Sequence, residues 1–106
     1  MWKAVADKFR NINLIFPTKQ KAVSDIVKMC RADKNIHRVI VFGSAVTPRC
    51  NLWSDIDIYF EFRRNPWKYP ILGNAAQSLD KFCNFSVSKD FQKEIISKGV
   101  VVYEQS

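Results

Sequence analysis

The stretch Val39–Phe62, VIVFGSAVTPRCNLWSDIDIYFEF, decides how this chain is read. An apolar run stops at Gly43-Ser44, an alternating run carries Asp55-Ile56-Asp57, and ten residues separate Ser44 from Asp55. In the second run Ile56, Ile58, Phe60 and Phe62 fall on one face of a period-two strand,. Asp55, Asp57, Tyr59 and Glu61 fall on the other. The two aspartates therefore point the same way, with Cβ atoms about 7 Å apart at a rise of about 3.3 Å per residue. In a cleft, two carboxylates near 4 Å repel by about 4 kcal/mol at an effective dielectric of about 20. A divalent cation turns that repulsion into attraction. The pattern offers only oxygen donors and the chain has one histidine, His37, so it favours Mg²⁺ or Mn²⁺ over Zn²⁺,.

The first run suits a nucleotide. Arg38–Phe42 reads as a short buried strand ending at Gly43, where a missing side chain lets a phosphate approach backbone amides,. Ser44 adds a hydroxyl and is placed to cap a short helical turn through Ala45, Val46 and Thr47, halted near Pro48,. Arg49 follows as a candidate charge partner for the nucleotide. Alone, D-x-D on a strand is usually an exposed edge face, and Gly-Ser after a strand is usually a turn. Both at this spacing, each on its own strand, form a specific combination.

Gly43-Ser44, ten residues and Asp55-x-Asp57 together resemble the G-S-x10-D-x-D signature of the minimal nucleotidyltransferases, small members of the DNA polymerase β-like superfamily. The C-terminal pattern Ile95, Gly99, Val100, Tyr103, Glu104 is similar to the family's as well, so the resemblance spans roughly Thr18 to Glu104. It implies a palm-like fold and a third carboxylate from a later strand, Asp80. It also implies two divalent ions, Mg²⁺ with Mn²⁺ as the substitute, held by Asp55, Asp57 and Asp80. ATP is then the substrate, gripped at Gly43 and Ser44, and AMP passes to an acceptor hydroxyl. Larger members carry a helical acceptor region. Here the chain closes after its last strand, and the acceptor is expected to be another protein. The family's minimal units are often antitoxins paired with a helical HEPN-type toxin, and this is the leading functional expectation. The alternatives are a catalytically idle binding module with an inherited nucleotide site, and the catalytic half of an enzyme modifying a small hydroxylated molecule such as an antibiotic. One departure stands out: the family commonly has Arg and Gly shortly after Gly-Ser, where this chain has Ala45, Val46, Thr47 and Pro48.

The remaining sequence supports a single α/β domain over residues 1–106, with 1–17 as an N-terminal extension and 18–104 as the core,. Trp2, Val5, Phe9 and Ile12 have helical spacing, which predicts either a helix closing the core or a contact surface for another chain,. Thr18 is expected to cap a helix running to about Ala32, with Ala22, Val23, Ile26, Val27 and Cys30 as its apolar stripe,. His37 reads as a surface or packing residue. The segment Arg63–Pro70 reads as a proline-bounded aromatic and basic connection, and Ile71–Ser78 as a short helix,. A strand over Leu79–Ser86 follows, then a helix capped by Ser88 and ended by Gly99, then a strand over Val100–Tyr103,. Strands and helices alternate, predicting a small mixed sheet with the carboxylates on one face and helices packed on the other.

The net charge of +7, from 17 basic and 10 acidic residues, implies a basic surface suited to a triphosphate or an acidic protein,. The basic residues are spread along the chain without a recognition-helix or RNA-binding motif, so nucleic acid is not the expected partner,. No run is long enough to span a membrane, the N-terminus lacks the apolar core of a signal peptide, and a cytoplasmic protein is expected,. Cys30, Cys50 and Cys83 form no C-x-x-C pair and read as reduced thiols,.

Overall fold

The computed structural model describes residues 9–48, 55–66 and 79–105. Four strands, β1 (Ile36–Phe42), β2 (Ile56–Phe62), β3 (Leu79–Cys83) and β4 (Val100–Glu104), form one sheet in the order β3-β2-β1-β4. The central hairpin-like pair β1–β2 and the pair β1–β4 are antiparallel, whereas β2 and β3 are parallel, so the sheet is mixed. Two helices, α1 (Gln20–Arg31) and α2 (Lys89–Lys98), complete the expected α/β arrangement.

Side-chain alternation gives the sheet two apolar faces. Val39, Val41, Ile56, Ile58, Phe60 and Val102 pack in one cluster with Val23, Ile26, Val27 and Cys30 of α1. Each such side chain taken fully out of water contributes about 1.5–3 kcal/mol, and this face is the main core. Ala22, predicted on the same stripe, lies at its partly buried margin. On the opposite face Ile40, Tyr59 and Ile95 form a second cluster, flanked by Phe42, Phe82, Phe91 and Val101. The helices thus divide between the faces. α1 covers the purely apolar one, and α2 lies over part of the face that carries the aspartates. Tyr59 falls on the aspartate face as its position in β2 requires, yet it is buried, because Phe91 and Ile95 of α2 pack there. Its hydroxyl accepts a hydrogen bond from Gln92 Nε2 at 2.7 Å. Burial pushes the Tyr59 phenol up, and the Gln92 bond opposes that rise.

Several local expectations change. Thr18 does not cap α1: it lies in a 3₁₀ turn, Pro17–Lys19, that runs into the helix, and the N-cap position is Lys19 with no side-chain cap bond. In the segment 9–16, Phe9 and Ile15 pack into the main core and Leu14 is exposed, while Gln20 Nε2 donates to the carbonyls of Ile12 and Ile15. The described part of the N-terminal segment therefore closes the core rather than standing off it. The first eight residues, the predicted helix over 71–78 and the second half of the aromatic connection, 67–70, lie outside the described residues. β3 ends at Cys83, three residues earlier than expected, because residues 84–86 turn. Asn84 closes that end: Phe62 N–H donates to its Oδ1 at 2.9 Å, and its Nδ2 donates to the Phe62 carbonyl at 3.0 Å. Cys30 and Cys83 are free and buried, and burial beside Asp33 pushes the Cys30 thiol up to about 12, so it stays protonated. Cys50 lies outside the described residues.

At the end of α2, Ser88 accepts from Phe91 N–H at 3.2 Å, as an N-cap should,. Gly99 stops the helix with φ −81°, outside the left-handed region, so its value is space rather than conformation. A Cβ there would collide with Ile40 and lie 2.6 Å from the Ile95 carbonyl oxygen and 3.2 Å from that of Val41. Replacement of Gly99 by Ala is expected to destabilise the protein by about 1–3 kcal/mol through overpacking. Ser88→Ala is expected to cost about 1 kcal/mol. Thermal melts of the two variants check both, and an unchanged Gly99→Ala melt contradicts the close packing of α2 on β1.

Candidate active site

The site begins with the β1–β2 pair. Phe42, the last residue of β1, lies opposite Asp57, so Gly43 enters the turn directly beside that carboxylate. Gly43 has φ +73°, a conformation that side chains strain,. A Cβ at this position would strike Asp57 Oδ2 and lie 3.2 Å from its Cγ. Glycine is required here twice, for the backbone and for the carboxylate beside it.

Gly43–Val46 forms one 3₁₀ turn, as the sequence predicts, but Ser44 lies inside it and does not cap it. The N-cap position is Phe42, and no side chain caps the turn. Thr47 closes the other end, its N–H and Oγ1 donating to the Ser44 carbonyl at 3.0 and 3.1 Å. The turn is anchored from outside by Phe16, whose N–H donates to the Ala45 carbonyl at 2.9 Å. Ala45 itself is fully buried in the main core. Sequence reading did not assign that anchoring to the N-terminal segment; Pro17 after three apolar residues was its only trace.

β3 brings in the third carboxylate. In the parallel β2–β3 pair, Asp57 lies directly opposite Asp80, so Phe42, Asp57 and Asp80 form one row across three strands on the α2 face. The Asp57 and Asp80 carboxyls are close enough for each to act on the other's charge. Asp55 is exposed just ahead of β2, and its charge adds to the field at Asp57. Arg49, the proposed charge partner of the nucleotide, lies outside the described residues.

The electrostatics of this row are unfavourable as it stands. Burial, the Asp80 carboxyl and the charge of Asp55 all act in one direction, pushing the Asp57 carboxyl from 3.8 up to about 6. None of these causes is a neighbouring cation. Phe42 supplies the apolar side of the site, its ring 5.5 Å from that of Phe82 and 5.8 Å from that of Phe91. An all-oxygen donor set with unneutralised charge fits a hard divalent cation, and Asp57 and Asp80 are the side chains that would hold it, with Asp55 next to them. Among the described residues no three His, Cys, Asp or Glu side chains converge closely enough to enclose an ion. The donors are thus gathered into a facing pair and a neighbour.

Because the folded state binds a proton at Asp57 more tightly than the unfolded chain does, this group favours folding at low pH. Its contribution falls as pH rises from about 4 to about 6,. Without metal, Asp57→Asn is therefore expected to raise stability near neutral pH, by about 1 kcal/mol once solvent screening is allowed for, or several degrees in melting temperature. The gain is expected to vanish near pH 4, below the window of the shift. A melt that shows equal effects at both pH values contradicts the repulsion. Gly43→Ala, by contrast, is expected to destabilise at both.

A family model described as Polymerase beta, Nucleotidyltransferase matches residues 24–106, from within α1 through β4. No curated protein matches the chain.

Proposed function

Since this chain belongs to the polymerase beta nucleotidyltransferase family, and so takes a nucleotide as substrate, we propose that it transfers AMP from ATP to a hydroxyl of a partner protein in a divalent-metal-dependent reaction. The partner is a helical HEPN-type toxin and the chain is its antitoxin. The observation that carries the chemical part is the register of Asp57 opposite Asp80, beside a glycine whose side chain is sterically excluded.

In this reading Asp57 and Asp80, with Asp55, hold the metal, and Gly43 with Ser44 receives the phosphates. A bound divalent ion supplies charge neutralisation and polarises the phosphoryl oxygens. The chain's own residues do the rest. The Gly43–Val46 turn presents backbone beside the carboxylates without a side chain at its first position. Phe42 excludes water from one side of Asp57, which strengthens every charge interaction there. Asp80, on the outer strand of the pair and exposed, is placed to take the proton released by an acceptor hydroxyl,. Arg49 is proposed to face the triphosphate.

The antitoxin assignment rests on the resemblance of the motif spacing and of the C-terminal pattern. A second reading has one observation in its favour. The described carboxylates do not enclose an ion, which suits a binding module that covers a partner without chemistry. Intact-mass spectrometry of a partner co-purified with the chain separates the two. The enzymatic reading predicts a partner heavier by one AMP after incubation with ATP and Mg²⁺. It also predicts a loss of at least about a hundredfold in that rate for Asp57→Asn or Asp80→Asn, each of which removes a proposed ligand. An unmodified partner, neutralised equally well by wild type and by both variants, supports the binding module.

A further inference from the structure

A second concavity lies on the same face of the sheet as the aspartates but at the opposite end of β1 and β2. It has a volume of about 580 Å³ and is lined by His37, Arg38, Glu61, Arg63, Gln92 and Ile96, among others. Glu61 is four residues along β2 from Asp57, which puts the groove about 13 Å from the carboxylate row at a strand rise of about 3.3 Å.

Its charges are arranged unequally. Arg38 is neutralised: its Nε and Nη2 both donate to Glu61 Oε2, in a pair that is largely shielded from solvent. Arg63 is held differently. Its Nε and Nη2 donate to Gln105 Oε1 at 3.2 and 2.9 Å, and Nη2 also reaches His37 Nδ1 at 3.2 Å. The other ring nitrogen of His37, Nε2, lies 3.8 Å from Glu61 Oε1. Gln105 carries no charge, and neither of these contacts of Arg63 is to a carboxylate. The guanidinium is oriented by them and keeps its charge for something else. An arginine already ordered loses less side-chain entropy on binding than a free one. Beside it, Ile96 is 42% exposed, an apolar surface on the outer side of α2.

We infer that this groove docks an acidic, aliphatic segment of the acceptor protein, with a carboxylate on Arg63 and an apolar side chain against Ile96. The inference rests on the reading above that the acceptor is a protein. Two features favour a peptide over nucleic acid. Ile96 offers an aliphatic contact rather than an aromatic face, and of the Phe, Tyr and Trp side chains among the described lining residues Phe62 is 3% exposed and offers no face for a base,. The separation from the aspartates also fits: a segment of about four extended residues bridges both sites. Docking at one end of the sheet would hold the acceptor hydroxyl near the other.

The test uses the full chain and a blocked hexapeptide alternating leucine and glutamate, followed by backbone amide NMR. Its glutamine counterpart and a single-stranded oligothymidylate serve as comparisons. Shifts are expected to cluster at His37, Arg38, Arg63 and Ile96, to be absent with the glutamine peptide and to weaken with salt. In Arg63→Gln, affinity is expected to fall about tenfold, the loss of one charge-assisted fork. Ile96→Ser is expected to weaken it severalfold. No shifts at these residues with millimolar peptide, or equal affinity in Arg63→Gln, overturns the proposal. Tighter binding of the oligothymidylate at the same residues also overturns it and assigns the groove to nucleic acid. ATP binding measured in parallel keeps the two readings apart. Peptide binding without ATP binding, even with the partner present, sinks the transfer reaction and spares the groove, and the reverse spares the reaction alone.

Discussion

The approach of Gly43 to Asp57 is the constraint on which the site depends. The antiparallel register of β1 and β2 sets Phe42 opposite Asp57, so the next residue of the chain must pass the carboxylate at a distance no side chain allows. A positive φ at that residue then turns the backbone into the 3₁₀ segment rather than letting the strand continue. Everything around the turn serves to hold it there. Ala45 is buried under it, and Phe16 ties it to the N-terminal segment, which is itself fastened by Gln20 and by the burial of Ile15. A stable core on the α1 face is what allows a crowded row of carboxylates on the other.

Stability and chemistry pull against each other in the carboxylate row. Asp57 and Asp80 face each other in a parallel pair, where two hydrophobic or hydrogen-bonding neutral side chains would fit with less repulsion,. Asp57 responds by holding its proton to about pH 6. The surrounding rings of Phe42, Phe82 and Phe91, at centroid separations of 5.5 to 5.8 Å, keep the region apolar and increase that cost. Such a local conflict, tolerated because α2 is firmly seated through Ile95 and the Tyr59–Gln92 bond, is what a cation-binding row is expected to look like before the cation arrives,.

Much of this was legible in the sequence, for reasons particular to each element. The period-two pattern of residues 56–62 fixed β2 and its faces, since Ile56, Ile58, Phe60 and Phe62 have no other way to be buried together. Ser88, Asp90, Lys98 and Gly99 marked α2 to the residue because capping is local. Effects that depend on distant chain were not legible. Asp80 came from the family resemblance alone, because its place opposite Asp57 is set by a parallel crossover and not by any local period. Tyr59 read as polar-facing, yet α2 covers it. Thr18 and Ser44 look like caps, but each sits within a 3₁₀ turn, which leaves no free helix end at that residue to cap. Gly99 ends α2 as its place in the sequence suggests, but its close contact with β1 has no local signal. Arg63, Gln105 and His37 meet across three separate segments, and nothing in their spacing foretold it.

The central claim is that the row beside Gly43 is a metal-dependent nucleotide site, and calorimetric titration of ATP into the purified chain tests it most directly. The titration is run with Mg²⁺, without it, and on the Asp55→Asn/Asp57→Asn variant. The account predicts saturable binding that requires Mg²⁺ and disappears in the variant. ATP binding that is indifferent both to Mg²⁺ and to loss of the aspartates would contradict it, as would no binding to the wild-type chain even in the presence of its partner.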